Sequence, residues 1–273
     1  MDSTTRHLPN PDRISVLAGT ILLAYLLTPY VNLPAITLNF TLPGVILPVQ
    51  LNFRTLVSIL VAALTATGAD WLVRGHPAFN GRITVQHWLL PALTAWVLGS
   101  VLFTISFNPL WWLAMAVGGM VLILVLVAEY IVVDRLDARY PLASAGLSAL
   151  AFGLFLALAI TLDTAGLRLF IRIPFIAGAA GLVTLRVIHL RLSGKWAVWE
   201  AVTMILICAQ LVAVFQYWPI SAASYGLLLL APLYCGVNFI ALIVQDLGMR
   251  RSVLEPTIIG VVLLGAAIWL ASP

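Results

Sequence analysis

The chain has 273 residues, of which 62% are hydrophobic and only 9% are charged, and its mean hydropathy is +1.08. A water-facing domain carries about 25% charged residues, so most of this surface must face hydrocarbon, and a soluble fold is excluded. The net charge of +4 comes from 14 basic residues set singly or in pairs between apolar runs, which is a membrane-orientation pattern and not a phosphate-tracking stripe; nucleic acid is not an expected partner.

In chain order, residues 1–13 are polar and the first apolar run follows from Ile14 to Val31. That run is too long for a signal-peptide core and no small-x-small cleavage site follows it, so it is read as a retained span. A span needs about 20 apolar residues to cross the hydrocarbon, and nine segments meet this: 14–31, 55–73, 88–107, 109–133, 142–162, 169–190, 196–218, 220–246 and 253–271. The expected fold class is therefore all-α transmembrane, a single integral membrane domain over 1–273 in a cell (inner or plasma) membrane.

The basic residues predict the orientation. With a cytoplasmic N-terminus, eleven of them fall inside (Arg6, Arg13, Arg74, Arg82, Arg135, Arg139, Arg186, Arg191, Lys195, Arg250 and Arg251) and three outside (Arg54, Arg168 and Arg172). Positive charge is expected on the cytoplasmic side.

Between the first two spans, Ile36, Leu38, Phe40 and Leu42 alternate with Thr37, Asn39 and Thr41. This period of two, followed by the turn pair Pro43-Gly44, predicts an outer-surface β-hairpin over about 35–53. Pro48 makes the second strand an edge or broken strand.

The two halves share marks. Pro109 and Pro219 are each expected to open a helix, and Ile131-Val132-Val133-Asp134 is echoed by Ile243-Val244-Gln245-Asp246. Arg54 and Arg172 hold corresponding places in the two halves. A parallel duplication of four-helix units, 14–134 and 142–246, with a terminal helix 253–271, accounts for the pattern.

Polar groups inside a bilayer are costly and mark function when truly internal. Asp70, Glu129, Asp134, Asp137, Asp246 and Glu255 lie near the inner ends of spans among the arginines, where surface pairing and snorkelling explain them. Glu200, one turn into the seventh span, and Arg172, at the outer end of the sixth, are the candidate charged site residues. Gln210 and Asn238 are the deeper polar candidates, and Pro232 and Gly236 beside Asn238 suggest a kinked helix. His76, His87 and His189 map to one face, but no zinc-ligand spacing accompanies them, and Cys208 and Cys235 read as buried thiols. No cofactor or metal is expected.

The string Gly146-Leu147-Ser148-Ala149-Leu150-Ala151-Phe152-Gly153 resembles the segment around the nucleophilic serine of rhomboid intramembrane proteases, with Ala149 standing where that family has glycine. The resemblance covers eight residues. It implies Ser148 as nucleophile and His189 as its base.

Three functional readings follow. The first is a transporter or a protein handling lipids or small apolar molecules through Glu200, Arg172, Gln210 and Asn238. The second is a non-catalytic membrane subunit or assembly factor that packs against partner helices. The third is an intramembrane hydrolase. Membrane lipids and other membrane subunits are the expected partners; the balance of the residues is against an enzyme.

Overall fold

A computed structural model describes residues 9–31, 36–42, 45–51, 53–79, 81, 84–192, 194, 196–244 and 249–271. Among them are nine helices long and apolar enough to cross a membrane: α1 (Pro11–Leu27), α2 (Phe53–Arg74), α3 (Leu89–Thr104), α4 (Pro109–Ile131), α5 (Tyr140–Thr164), α6 (Leu169–Arg191), α7 (Val198–Phe215), α8 (Ala222–Val244) and α9 (Met249–Ala271). The protein is a multi-pass helical membrane protein. Between α1 and α2 run two antiparallel strands, β1 (Ile36–Leu42) and β2 (Val45–Leu51), with Asn39 opposite Pro48. The expected Pro43-Gly44 turn lies outside the described residues, as do Arg6, Arg82, Lys195 and Asp246.

Local chemistry sets several helix ends. Asn10 caps α1 by accepting the Asp12 N–H at 2.9 Å, with Pro11 at the first helical position. Asn108 caps α4 by accepting from Trp111 N at 3.2 Å, and Pro109 follows it at the first helical position. Proline costs nothing there because its missing N–H has no intrahelical partner to lose. Pro219 differs from the expectation: α8 starts three residues later, at Ala222. Ser221 sets that start, its Oγ accepting from Ser224 N at 3.2 Å. At the end of α5 the chain turns at Gly166, whose φ of 62° is a left-handed conformation suited to glycine.

Packing follows from a solvent that is itself apolar. Lipid tails do not drive helices together hydrophobically, so association relies on close contact and small residues. Gly99 of α3 shows the closeness. A Cβ there would sit 2.8 Å from the Tyr25 ring and 2.9 Å from Ser58 Oγ, so α1, α2 and α3 meet where this side chain is missing. The Tyr25 hydroxyl donates to the Ala95 carbonyl at 2.6 Å in the same layer.

Two apolar clusters result. One, with Ile21, Tyr25, Leu72 and Leu122, is shared by α1 to α4. The other runs from α3 and α4 through α8 and includes Phe155, Val183, Cys208 and Leu229. α6 is the most enclosed span, and α9 rests on α8. Trp111 is buried, while its neighbour Trp112 is exposed.

A buried charge cluster at one end of the bundle

The ends of α2, α4 and α6 and the starts of α3 and α5 share one end of the bundle; the Tyr140 hydroxyl that opens α5 donates to the Leu190 carbonyl near the end of α6, at 3.4 Å. Three side chains from different helices converge there. Glu129 comes from the last turn of α4, Arg186 from the inward face of α6, and His87 from the 3-10 turn Val85–His87 that leads into α3. Glu129 and Arg186 are each 1% exposed and His87 is 6% exposed.

Both carboxylate oxygens of Glu129 are engaged. Oε1 accepts from Arg186 Nε at 2.9 Å, and Oε2 accepts from Arg186 Nη2 and stands 2.8 Å from His87 Nδ1. The planar guanidinium fork suits this two-point recognition, which a lysine could not reproduce. His87 Nδ1 also stands 3.4 Å from Arg186 Nη2, a donor. The shorter carboxylate contact decides the tautomer: Nδ1 carries the hydrogen and donates it to Glu129.

Glu129 thus differs from its expected role as a solvated interfacial acid. It is a fully enclosed anion, because α3, α4 and α6 close over it together. Arg186, counted in the sequence as an orientation marker, is its counterion. The signal for the pair was present in the sequence: one acid and one base inside apolar spans at the same membrane face.

Beside the cluster lies a cavity of about 100 Å³, bordered by Arg186, His87, Gln86, Arg135, Tyr140 and His189, among others. This is room for several waters or one small group, well below the roughly 300–1,000 Å³ of a drug-sized pocket. His189 is 8% exposed; its ring lies 5.1 Å from that of Trp196, and its Nδ1 has no hydrogen-bond partner among the described residues. Gly194, with φ of 95°, turns the chain back at this point and donates its N–H to the His189 carbonyl at 3.1 Å. A side chain at Gly194 would begin 2.6 Å from Arg135 Nη2 and 3.8 Å from the His189 ring, so these two cavity residues stand close together. Among the described residues, no group of three or more His, Cys, Asp or Glu could hold a metal ion.

The four residues singled out by sequence do not converge on one pocket. Arg172, 4% exposed, donates from Nη1 to Asp163 at 2.8 Å across the α5–α6 turn and lies 5.4 Å over the Tyr225 ring. Asn238 is buried near the opposite end of α6, where its Oδ1 accepts from Arg191 Nη1 at 2.5 Å and its Nδ2 donates to the Tyr234 carbonyl at 2.6 Å. Nineteen residues of helix at about 1.5 Å each put roughly 28 Å between Arg172 and Arg191. Gln210 is exposed on α7, and Glu200 is half-buried in its first turn with no ion pair or hydrogen bond among the described residues. Asp163, the partner of Arg172, is a residue that the sequence alone does not single out, although it lies only nine positions away. Ser148 donates to the Ser144 carbonyl one turn back, at 2.9 Å, and shares no hydrogen bond with His189.

A second cavity, of about 290 Å³, opens at the other end of the bundle between Thr28, Arg54, Phe103, Ser106 and Trp111. Arg54 lies 5.8 Å over the Phe103 ring there.

No curated protein and no solved structure matches the chain. Residues 33–270, from ahead of β1 almost to the end of α9, match the model of the family described as Protein of unknown function (DUF5656), and the chain belongs to that family.

Proposed function

We propose that this protein handles a lipid or other small molecule at one face of the membrane, holding it in the cavity beside Arg186, Glu129 and His87. The observation that carries the reading is a buried charge cluster drawn from three separate elements, two of whose members, Arg186 and His87, border a polar cavity. Buried ionic groups in membrane spans are costly and mark functional sites by default.

Depth favours lipid handling over passage across the membrane. Glu129 lies two residues from the end of α4 and Arg186 five from the end of α6, so both sit within about 8 Å of the helix ends. That is the outer part of one leaflet and well short of the bilayer middle, against a half-thickness of about 15 Å for the hydrocarbon core.

The same reading carries the finer topology. The eleven-to-three distribution of basic residues supports a cytoplasmic N-terminus in a cell membrane, which puts the cluster on the cytoplasmic leaflet and the β1–β2 hairpin outside. Duplication is supported by the packing order: each of the first four helices lies beside the next and α1 returns to α4, as α5 returns to α8 in the second four. His87 and Glu129 then come from one unit and Arg186 from the other, so the site lies where the units meet.

A second reading, a subunit that packs against partner helices, is favoured by exposed Gln210 on α7 and by exposed Gly146 and Gly153, seven residues apart on one face of α5. The test of the first reading is native mass spectrometry of protein extracted from its own membrane. Wild type should retain a small bound species that Val133→Trp, which fills the cavity, releases. Wild type carrying no such species would sink it.

A further inference from the structure

We infer that the cavity beside Arg186 recognises an oxyanion of the phosphate type. This inference rests on the reading that the cavity holds a ligand, and it adds the ligand's chemistry.

Hydrogen-bond donors and positive charge dominate the cavity wall. Glu129 stands behind that wall, bound to the cavity residues Arg186 and His87, and both of its oxygens are already occupied by them. Arg186 uses Nε and Nη2 on that carboxylate, which leaves Nη1 with no acceptor among the described residues. Arg135 borders the same space and makes no ion pair or hydrogen bond among the described residues. Two guanidinium groups against one carboxylate leave an excess of one positive charge before either histidine is counted. The His189 ring, more than nine-tenths buried on the cavity wall, has an Nδ1 with no partner. A buried polar atom left unpaired costs free energy; an oxyanion in the cavity supplies an acceptor to His189 Nδ1 in its protonated-Nδ1 tautomer, and to the Arg186 and exposed Arg135 guanidinium groups beside it. Arginine suits such a group because its N–H pairs match the spacing of phosphate oxygens. The volume also fits one tetrahedral oxyanion and excludes a bulky apolar ligand.

Two sources carry this chemistry: the phosphate of a lipid headgroup, and free phosphate from the aqueous side. Trp196, 5.1 Å from His189, supplies a fluorescence reporter, isolated from the other eight tryptophans by subtracting the Trp196→Phe protein. Purified, delipidated full-length chain is titrated with inorganic phosphate, and in parallel placed in nanodiscs of phosphatidylcholine with increasing phosphatidic acid.

Saturable change with inorganic phosphate supports the inference and assigns a soluble ligand. Change only as phosphatidic acid increases supports it and assigns a lipid. In either case Arg135→Ala, at an exposed position in the turn after α4, should weaken binding on the order of tenfold or more, and Gly194→Ala should weaken it by displacing Arg135. Unchanged affinity in Arg135→Ala overturns the inference. An equal response in pure phosphatidylcholine overturns it too, while leaving intact the reading that the cavity holds a ligand. No response to any probe, together with no species retained on extraction, overturns both.

Discussion

Replacing Glu129 and Arg186 by methionine, singly and together, tests whether the cluster is a closed electrostatic unit. Each residue is 1% exposed, and they share a two-point contact. Removing one partner of such a pair strands the other as a buried charge, at a cost of about 3–5 kcal/mol. If the two losses were independent, the double variant would lose about 6–10 kcal/mol. The structure predicts much less. With both charges gone, the remaining defect is His87, whose Nδ1 no longer has an acceptor, at about 1–3 kcal/mol. The coupling between the two sites is therefore expected to be about 3 kcal/mol or more. The protein carries its own probe: Cys208 is fully buried and becomes reactive to a thiol-specific dye as the bundle opens. Unfolding of the four proteins in mixed detergent–denaturant gives the cycle. Single variants that lose less than about 1 kcal/mol, or a double variant equal to the sum of the singles, would refute the buried ion pair.

Further predictions use the same assay or a direct titration. Gly99→Ala should cost about 1–3 kcal/mol, because the new methyl overlaps Tyr25 and Ser58 and forces α1 or α2 outward. Asp163→Asn should cost about 1–3 kcal/mol by leaving Arg172 without its carboxylate; this is less than at Glu129, because Asp163 is partly exposed and water screens the loss. In the turn between α4 and α5, the Arg139 guanidinium donates to Asp137 and holds its carboxyl down to about 2, against an ordinary 3.8. A lowered folded-state value stabilises the protein above the ordinary value, and the contribution fades as pH falls through about 2. Carbon NMR of the Asp137 carboxyl should show this low midpoint, and Arg139→Gln should return it towards 3.8. A midpoint unmoved by that substitution would rule out the pairing.

The spans were legible because lipid imposes a fixed apolar length. The sixth was expected over 169–190 and is Leu169–Arg191; the fifth was expected over 142–162 and is Tyr140–Thr164. Asn108 and Pro109 mark the start of α4 because capping is a matter of adjacent residues. Pro219 misled because proline permits a helix start without fixing it, and the Ser221 hydroxyl three residues before Ser224 sets it instead. The site was harder to see. Glu129 and Arg186 are 57 positions apart, and each alone looks like a charge at a membrane face. Only the packing of α4 against α5 and of α3 against α6 shows that the pair is enclosed. Glu200 and Gln210 illustrate the converse: the hydropathy of a span shows its depth in the bilayer and not the side it turns inward.

The dispersal of the cluster along the chain has a consequence for biosynthesis. His87 and Glu129 leave the ribosome well before Arg186, so the nascent bundle holds an acid without its counterion until the sixth segment enters the bilayer. Chains arrested ahead of that segment carry an exposed polar defect, which quality-control proteases of the membrane can recognise. Arrival of Arg186 is therefore the step of insertion that gives this acid its counterion.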